Sequence, residues 1–178
     1  MDSVDDLREW LAAQGVPYGT WGRDGTKSVR RLWEEIAAGE TWLSSGPPLR
    51  EVAVVSVTIE TAGRRLTEVR QLMADGAVRE RDSPPTEKML PGETPEAAAL
   101  RCIAEELGVD PDTVTITARA PSPTVEQSDS PSYPGLPSRY HLHKVTAEVP
   151  GLPLTPFTTE EAPGHGDAAV RTHYWEWR

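Results

Sequence analysis

The sequence predicts an α/β or α+β fold: a β-sheet with packed helices, preceded by a helical extension. Three observations carry this. EVAVVSVTIE (51–60) is rich in β-branched residues and alternates along its length, the period of a strand. TPEAAALRCIAEEL (94–107) is a capped run of helix formers lying between strand-like stretches. Residues 3–14 and 27–38 repeat apolar positions at helical spacing before any strand signal begins.

The chain has 178 residues, enough for one domain with a real core. Its net charge of −10 argues against nonspecific nucleic-acid binding, whose affinity comes from basic residues meeting phosphates. One cysteine excludes an internal disulfide. No apolar run approaches a membrane span, and MDSVDDLREW lacks the basic-then-apolar pattern of a signal peptide. The expectation is a cytoplasmic protein with no membrane partner. Seventeen prolines and 14 glycines point to extensive loops.

Residues 3–14 read as an amphipathic helix capped by Ser3, with Asp6 completing a capping box. Leu7, Trp10 and Leu11 share a face, and Gly15 ends it. A second helix spans 27–38, with Val29, Leu32, Trp33 and Ile36 on one stripe and Gly39 after it. The pair forms a helical hairpin, residues 1–45, too small to hold its own core. It is expected to dock on the main domain, residues 46–178, over the tryptophans Trp175 and Trp177 near the C-terminus.

The strand at 51–60 places Val55, Val57 and Ile59 on one face. Thr61-Ala62-Gly63 predicts a hairpin turn, with 65–72 as the return strand. Another turn at 74–76 leads to a short strand at 78–81.

The next stretch, EKMLPGETPEAAALRCIAEELGV (87–109), holds the chemistry. Thr94 caps a helix, Pro95 fits the first position, and Gly108 suits the left-handed residue past the end. Leu100, Ile103 and Leu107 make a buried stripe. Cys102 and Glu106 lie four apart on another face, with Arg101 and Glu105 beside them. Adjacent glutamates concentrate charge, and hard divalent cations take oxygen ligands. Alone, such a pair is an ordinary solvated face.

This stretch resembles the signature of Nudix hydrolases: Gly, five residues, Glu, seven residues, then Arg-Glu-aliphatic-x-Glu-Glu-x-Gly-aliphatic. Glu93, Arg101, Ile103, Glu105, Glu106, Gly108 and Val109 match in register. Two positions depart: Glu87 stands at the first glycine, and Cys102 at the glutamate that in the family is a magnesium ligand. A thiol is a soft ligand and suits magnesium poorly, and nearby carboxylates raise its pKa. The resemblance implies a mixed sheet between helices, Mg²⁺ as cofactor with Mn²⁺ as the second candidate, and Glu105 and Glu106 at the metal. It implies an ion pair of Glu93 with Arg101 that fixes the loop on the helix. Glu87 is a candidate to return the carboxylate that Cys102 removes.

After the signature helix, 113–118 alternates as a strand. Residues 120–138 read as a loop, its prolines excluding a central strand. Tyr133 is there either an aromatic wall for a substrate or a pin for the loop. A strand follows at 139–149, with His141 and His143 on one face as packing or substrate-binding residues. A second loop, 150–168, contains Glu160 and Glu161, of interest because Nudix enzymes often draw a further glutamate from a late loop. VRTHYWEWR closes the chain as a terminal strand.

The leading functional expectation is a divergent Nudix hydrolase whose partner is a small-molecule diphosphate, by resemblance a nucleoside diphosphate linked to another group. Its catalytic candidates are Glu105, Glu106, Glu87 and Cys102. A Nudix-fold binding module without hydrolysis is the first alternative. A Nudix-fold isomerase or lyase, with Cys102 and Glu106 sharing proton transfer, is the second. The family resemblance also makes a homodimer a candidate assembly.

Overall fold

The Ser3 hydroxyl accepts a hydrogen bond from the Asp6 amide, the Asp6 carboxylate accepts one from the Ser3 amide, and helix α1 (Val4–Ala13) follows. Ser28 caps α2 (Val29–Ala37) in the same way through the Arg31 amide. The computed structural model describes residues 1–23, 25–74, 76–161 and 170–178. Its strands are β1 (Trp42–Ser44), β2 (Leu49–Thr61), β3 (Arg64–Met73), β4 (Val78–Ser83) and β5 (Thr86–Lys88). Helix α3 (Pro95–Leu107) comes next, then β6 (Thr115–Arg119), β7 (Thr124–Ser128), β8 (Ser138–Glu148), β9 (Phe157–Glu160) and β10 (Val170–Trp177). Helices with a large sheet give the expected α+β class.

The chain packs as two units. One, the helical unit, holds Met1–Ala53, Leu90–Gly92 and Thr124–Leu142; the other, the sheet unit, holds Val54–Met89, Glu93–Pro123 and His143–Arg178. In the helical unit, Leu7, Leu11, Val16, Trp21, Val29 and Leu32 share a core with Tyr133 and Leu136. The helices therefore close on the proline-rich loop. The Trp21 indole donates to the Pro134 carbonyl at 3.0 Å, and the Lys27 amide donates to the Ser132 carbonyl at 2.9 Å. Gly135, at φ +84°, lets Pro17 approach where a Cβ would meet its ring at 2.6 Å.

The proline-rich loop is not wholly irregular. Thr124–Ser128 pairs antiparallel with Ser138–Leu142 of β8. All its residues are exposed, so it is an edge strand, and the prolines flank it without interrupting the ladder.

In the sheet unit, β2 turns into β3 through Ala62 and Gly63, both at positive φ. Strand β3 pairs antiparallel with β10 and β4, and β10 with β9. Strand β5 pairs with β2, and β6 with β8. Strands β5 and β9 are short additions that the sequence did not announce. Val55, Val57 and Ile59 are all buried, as their alternation predicts. Helix α3 begins at the Thr94 cap and ends at Gly108, φ 67°.

Candidate active site on the signature helix

Glu68, Glu87, Glu93, Arg101, Cys102, Glu105, Glu106, Glu161 and His173 all belong to the sheet unit. Helix α3 is short of exposed surface on the side where its glutamates lie. Cys102 and Ile103 are 0% exposed, and Glu105 and Glu106 are each 7% exposed. The solvated-face alternative for this glutamate pair is thus excluded. A carboxylate is buried at such cost only where charge partners or ligands compensate it.

Arg101 supplies the first compensation. Its Nε donates to Glu93 Oε1 and its Nη2 to Glu93 Oε2, both at 3.0 Å. Nη1 donates to Glu105 Oε2 at 3.2 Å, and Nη2 also reaches the Lys88 carbonyl at 2.6 Å. One planar guanidinium thus ties Glu93 and the Lys88 backbone to the helix. This is the Glu93–Arg101 pair expected from the signature.

Glu87, on β5, accepts a hydrogen bond from the Lys88 amide at 2.7 Å. Burial, assisted by the charge of Glu105, outweighs that bond and Arg101, and pushes its carboxyl up to about 7. Glu106 is pushed well above the usual carboxylate range, first by burial and then by Glu68, Glu87 and Glu161, with His173 opposing. Its Oε2 has no hydrogen-bond partner among the described residues. The Cys102 thiol is likewise pushed up by burial and by Glu106 and Glu87. It is a neutral thiol with no exposed surface, which removes it as a ready nucleophile or soft ligand.

A second group of charges bears on Glu106. His173 of β10 is 1% exposed and lies between two carboxylates. Its Nδ1 is 2.6 Å from Glu68 Oε1 of β3, and its Nε2 is 2.5 Å from Glu161 Oε2. Burial lowers the imidazole's pKa, but the two hydrogen bonds and the charge of Glu106 outweigh it and push it up to about 10. Both ring nitrogens thus face carboxylate oxygens, an arrangement that favours the charged imidazole. Arg81 donates to Glu68 Oε2 at 3.0 Å, and Trp175 stacks on the imidazole at 5.7 Å between centroids. The Trp175 indole donates to Thr159 Oγ1 at 2.8 Å, and that hydroxyl donates to the Glu106 carbonyl, tying β10 and β9 to the end of α3. Glu160 instead accepts from Thr172, at 3.1 Å.

The sequence reading missed Glu68 and His173. The signal was a charged or polar residue in register with apolar neighbours on a strand: Glu68 beside Leu66, and His173 beside Trp175. Of the second loop, residues 162–169 lie outside the described residues.

Of the remaining candidates, Tyr133 and His141 belong to the helical unit and His143 to the sheet unit. Tyr133 is 0% exposed in the helical unit, 5.1 Å from the Trp21 ring and with the Arg50 guanidinium 5.3 Å from its centroid. It pins the loop and has no exposed surface with which to wall a substrate. His141, also in the helical unit, meets buried Glu51 at 2.8 Å and stacks on Trp42 at 5.5 Å. Arg139 donates to the same carboxylate at 2.9 Å. His143 is half-buried on β8 in the sheet unit.

Carboxylate oxygens are the ligand type that hard divalent cations take. The buried Glu106 carboxyl and the half-buried Glu87 carboxyl bear on each other by charge, and one oxygen of Glu106 is unpartnered among the described residues. Among the described residues, no group of three or more His, Cys, Asp or Glu side chains is arranged to hold a metal. Magnesium does not require such a cage; it is held by one or two carboxylates and completes its shell with water and phosphate oxygens.

The description of the NUDIX domain family matches residues 49–173. The chain belongs to that family. Solved Nudix structures are similar to it at low identity. A NUDIX hydrolase from Nitrosomonas europaea is 17% identical, with 70% of this chain and 71% of that chain covered and a TM-score of 0.40. An Ap4A hydrolase from C. elegans is 16% identical, with 71% and 77% covered and a TM-score of 0.39. A NUDIX-family hydrolase from Clostridium perfringens is 17% identical, with 70% and 80% covered and a TM-score of 0.40. No curated protein matches the chain. No helix among the described residues is long and apolar enough to cross a membrane.

Proposed function

We propose that this Nudix chain is a magnesium-dependent hydrolase of an organic diphosphate, with a nucleoside diphosphate linked to a second group as the substrate class. The supporting observation is Glu106: a buried carboxyl on the signature helix, crowded by Glu68, Glu87 and Glu161, with one oxygen unpartnered among the described residues. Glu106 and Glu87 would hold the ion, with Glu105 adjoining through its second oxygen. Held there, a magnesium ion would supply positive charge to offset that of the diphosphate and would orient the attacking water. Arg101 holds Glu93 and the Lys88 carbonyl, and so keeps the neighbouring Glu87 on β5 beside the helix. A net charge of −10 supports a small ligand over a nucleic acid.

A second reading, a Nudix-fold binding module without hydrolysis, is favoured by the buried neutral thiol of Cys102 where the family signature has a carboxylate. It predicts affinity for a diphosphate that is indifferent to magnesium.

Calorimetric titration of Mg²⁺ into the wild-type protein and into Glu106→Gln separates the two. Binding in the micromolar to millimolar range that is lost in the variant is expected. Absence of wild-type binding, together with magnesium-independent affinity for ADP-ribose, would overturn the hydrolase reading in favour of the second.

A further inference from the structure

In the helical unit, strands β1, β2, β7 and β8 carry a cluster of polar and aromatic side chains that the proposed hydrolysis does not use. Antiparallel partners place their side chains on one face of a sheet. Trp42 of β1 lies opposite Glu51 of β2. On β8, His141 lies opposite Val125 of β7, and Arg139 lies opposite Gln127. Ser44 is two residues from Trp42 and so shares its face. Glu126, between Val125 and Gln127, alternates to the other face.

Glu51 joins these strands. Its side chain is 6% exposed. Oε1 accepts from Ser44 Oγ at 3.0 Å and from Arg139 Nη1 at 2.9 Å, and Oε2 accepts from His141 Nε2 at 2.8 Å. These donors compensate the burial of the carboxylate. They also fix the imidazole, which lies flat on the Trp42 indole with centroids 5.5 Å apart and planes 22° apart. The indole is still 45% exposed. With one face on His141, that exposure belongs to its other face and its edge. Trp42 is therefore a half-open ring held rigid by a buried network, the arrangement that preorganises a contact.

The company of the ring narrows what it takes. Within β1, β2, β7 and β8 the exposed large apolar side chains are Trp42 and Val125. That is too little apolar surface for a protein partner, whose interface takes about 800 Å² from each side. A single open indole fits a flat ring. The Arg139 side chain is 36% exposed, and a guanidinium has five donors, of which Nη1 meets Glu51. A cation beside the indole suits a flat ring that carries an anion, and guanidinium matches phosphate.

We propose that Trp42, stacked on His141 and flanked by Arg139, forms a binding site for a purine nucleotide, the base lying on the open face of the indole and the phosphate meeting the guanidinium. Glu51, Ser44 and His141 are its positioning residues. The choice of a purine nucleotide over other planar anions rests on the hydrolase reading; the held indole does not.

The test is a titration of the full chain with AMP in EDTA, followed by the indole N–H signals in ¹H–¹⁵N spectra. The Trp42 signal is identified by its loss in Trp42→Tyr. AMP is expected to move it saturably with a Kd below about 1 mM, adenosine to do so about 10-fold more weakly, and ribose 5-phosphate to leave it in place. Calorimetry in the same buffer should show AMP binding weakened about 10- to 100-fold in Trp42→Leu and within about threefold of wild type in Trp42→Tyr, which keeps an aromatic face. A Trp42 signal unmoved by about 10 mM AMP would overturn the site. So would wild-type affinity in Trp42→Leu, or a response to adenosine or ribose 5-phosphate equal to that to AMP. EDTA withholds the metal, so the two readings fail separately. AMP binding at Trp42 in a chain that hydrolyses no diphosphate removes the hydrolase reading alone, and hydrolysis with an unmoved Trp42 signal removes the nucleotide site alone.

Discussion

Arg101 grips Glu93 through two parallel hydrogen bonds, Nε to Oε1 and Nη2 to Oε2, each 3.0 Å long. A lysine in this place keeps the charge and loses the fork, the Glu105 contact and the reach to the Lys88 carbonyl. Arg101→Lys is therefore expected to lower stability by about 1–3 kcal/mol and to weaken magnesium binding. Denaturant melts and calorimetry check both; an unchanged midpoint would show that the clamp is dispensable.

Glu87 carries a pH signature. Its carboxyl is raised from 4.5 to about 7, so between those values the folded state holds a proton that the unfolded state has lost. Metal-free stability should fall as pH rises through this window, by about 1–3 kcal/mol from this group. Glu87→Gln should remove that fall, and magnesium should reduce it in the wild-type protein. Urea melts at pH 5 and pH 8, with and without Mg²⁺, read the difference directly.

His173 has the opposite charge type and a different window. Its raised value, about 10, means that its contribution is fully present below its ordinary 6.5 and is lost as pH rises through about 10. The stability gap between wild type and His173→Gln should be widest near pH 6 and should narrow steadily toward pH 10. A gap that stays constant would mean the ring is neutral throughout.

Tyr133 joins the proline-rich loop to α1 and α2. Removing a fully buried aromatic leaves a cavity, and Tyr133→Ala is expected to cost about 3–5 kcal/mol. A cost under about 1 kcal/mol in a denaturant melt would mean that the loop is not anchored through this side chain.

Much of this was legible in the sequence because it is local. The caps at Ser3 and Thr94, the left-handed Gly108 and the alternation of Val55, Val57 and Ile59 all depend on neighbours within a few residues. The Glu93–Arg101 pair was legible because the signature fixes its spacing. Glu68 and His173 were not, because they are separated by 105 positions and meet only when β3 pairs with β10. Tyr133 was ambiguous for the same reason: an aromatic among prolines looks alike whether it faces a ligand or a helix pair. The short strand β7 was hidden by proline content, which excludes a central strand but permits an edge.

Steady-state hydrolysis of a nucleoside-diphosphate panel, with Mg²⁺ and with EDTA, in wild type and Glu106→Gln, tests the central claim most directly. Turnover of at least one diphosphate, abolished by EDTA and reduced at least 100-fold in Glu106→Gln, is the expected result. Turnover that survives EDTA, or that Glu106→Gln leaves intact, would contradict it.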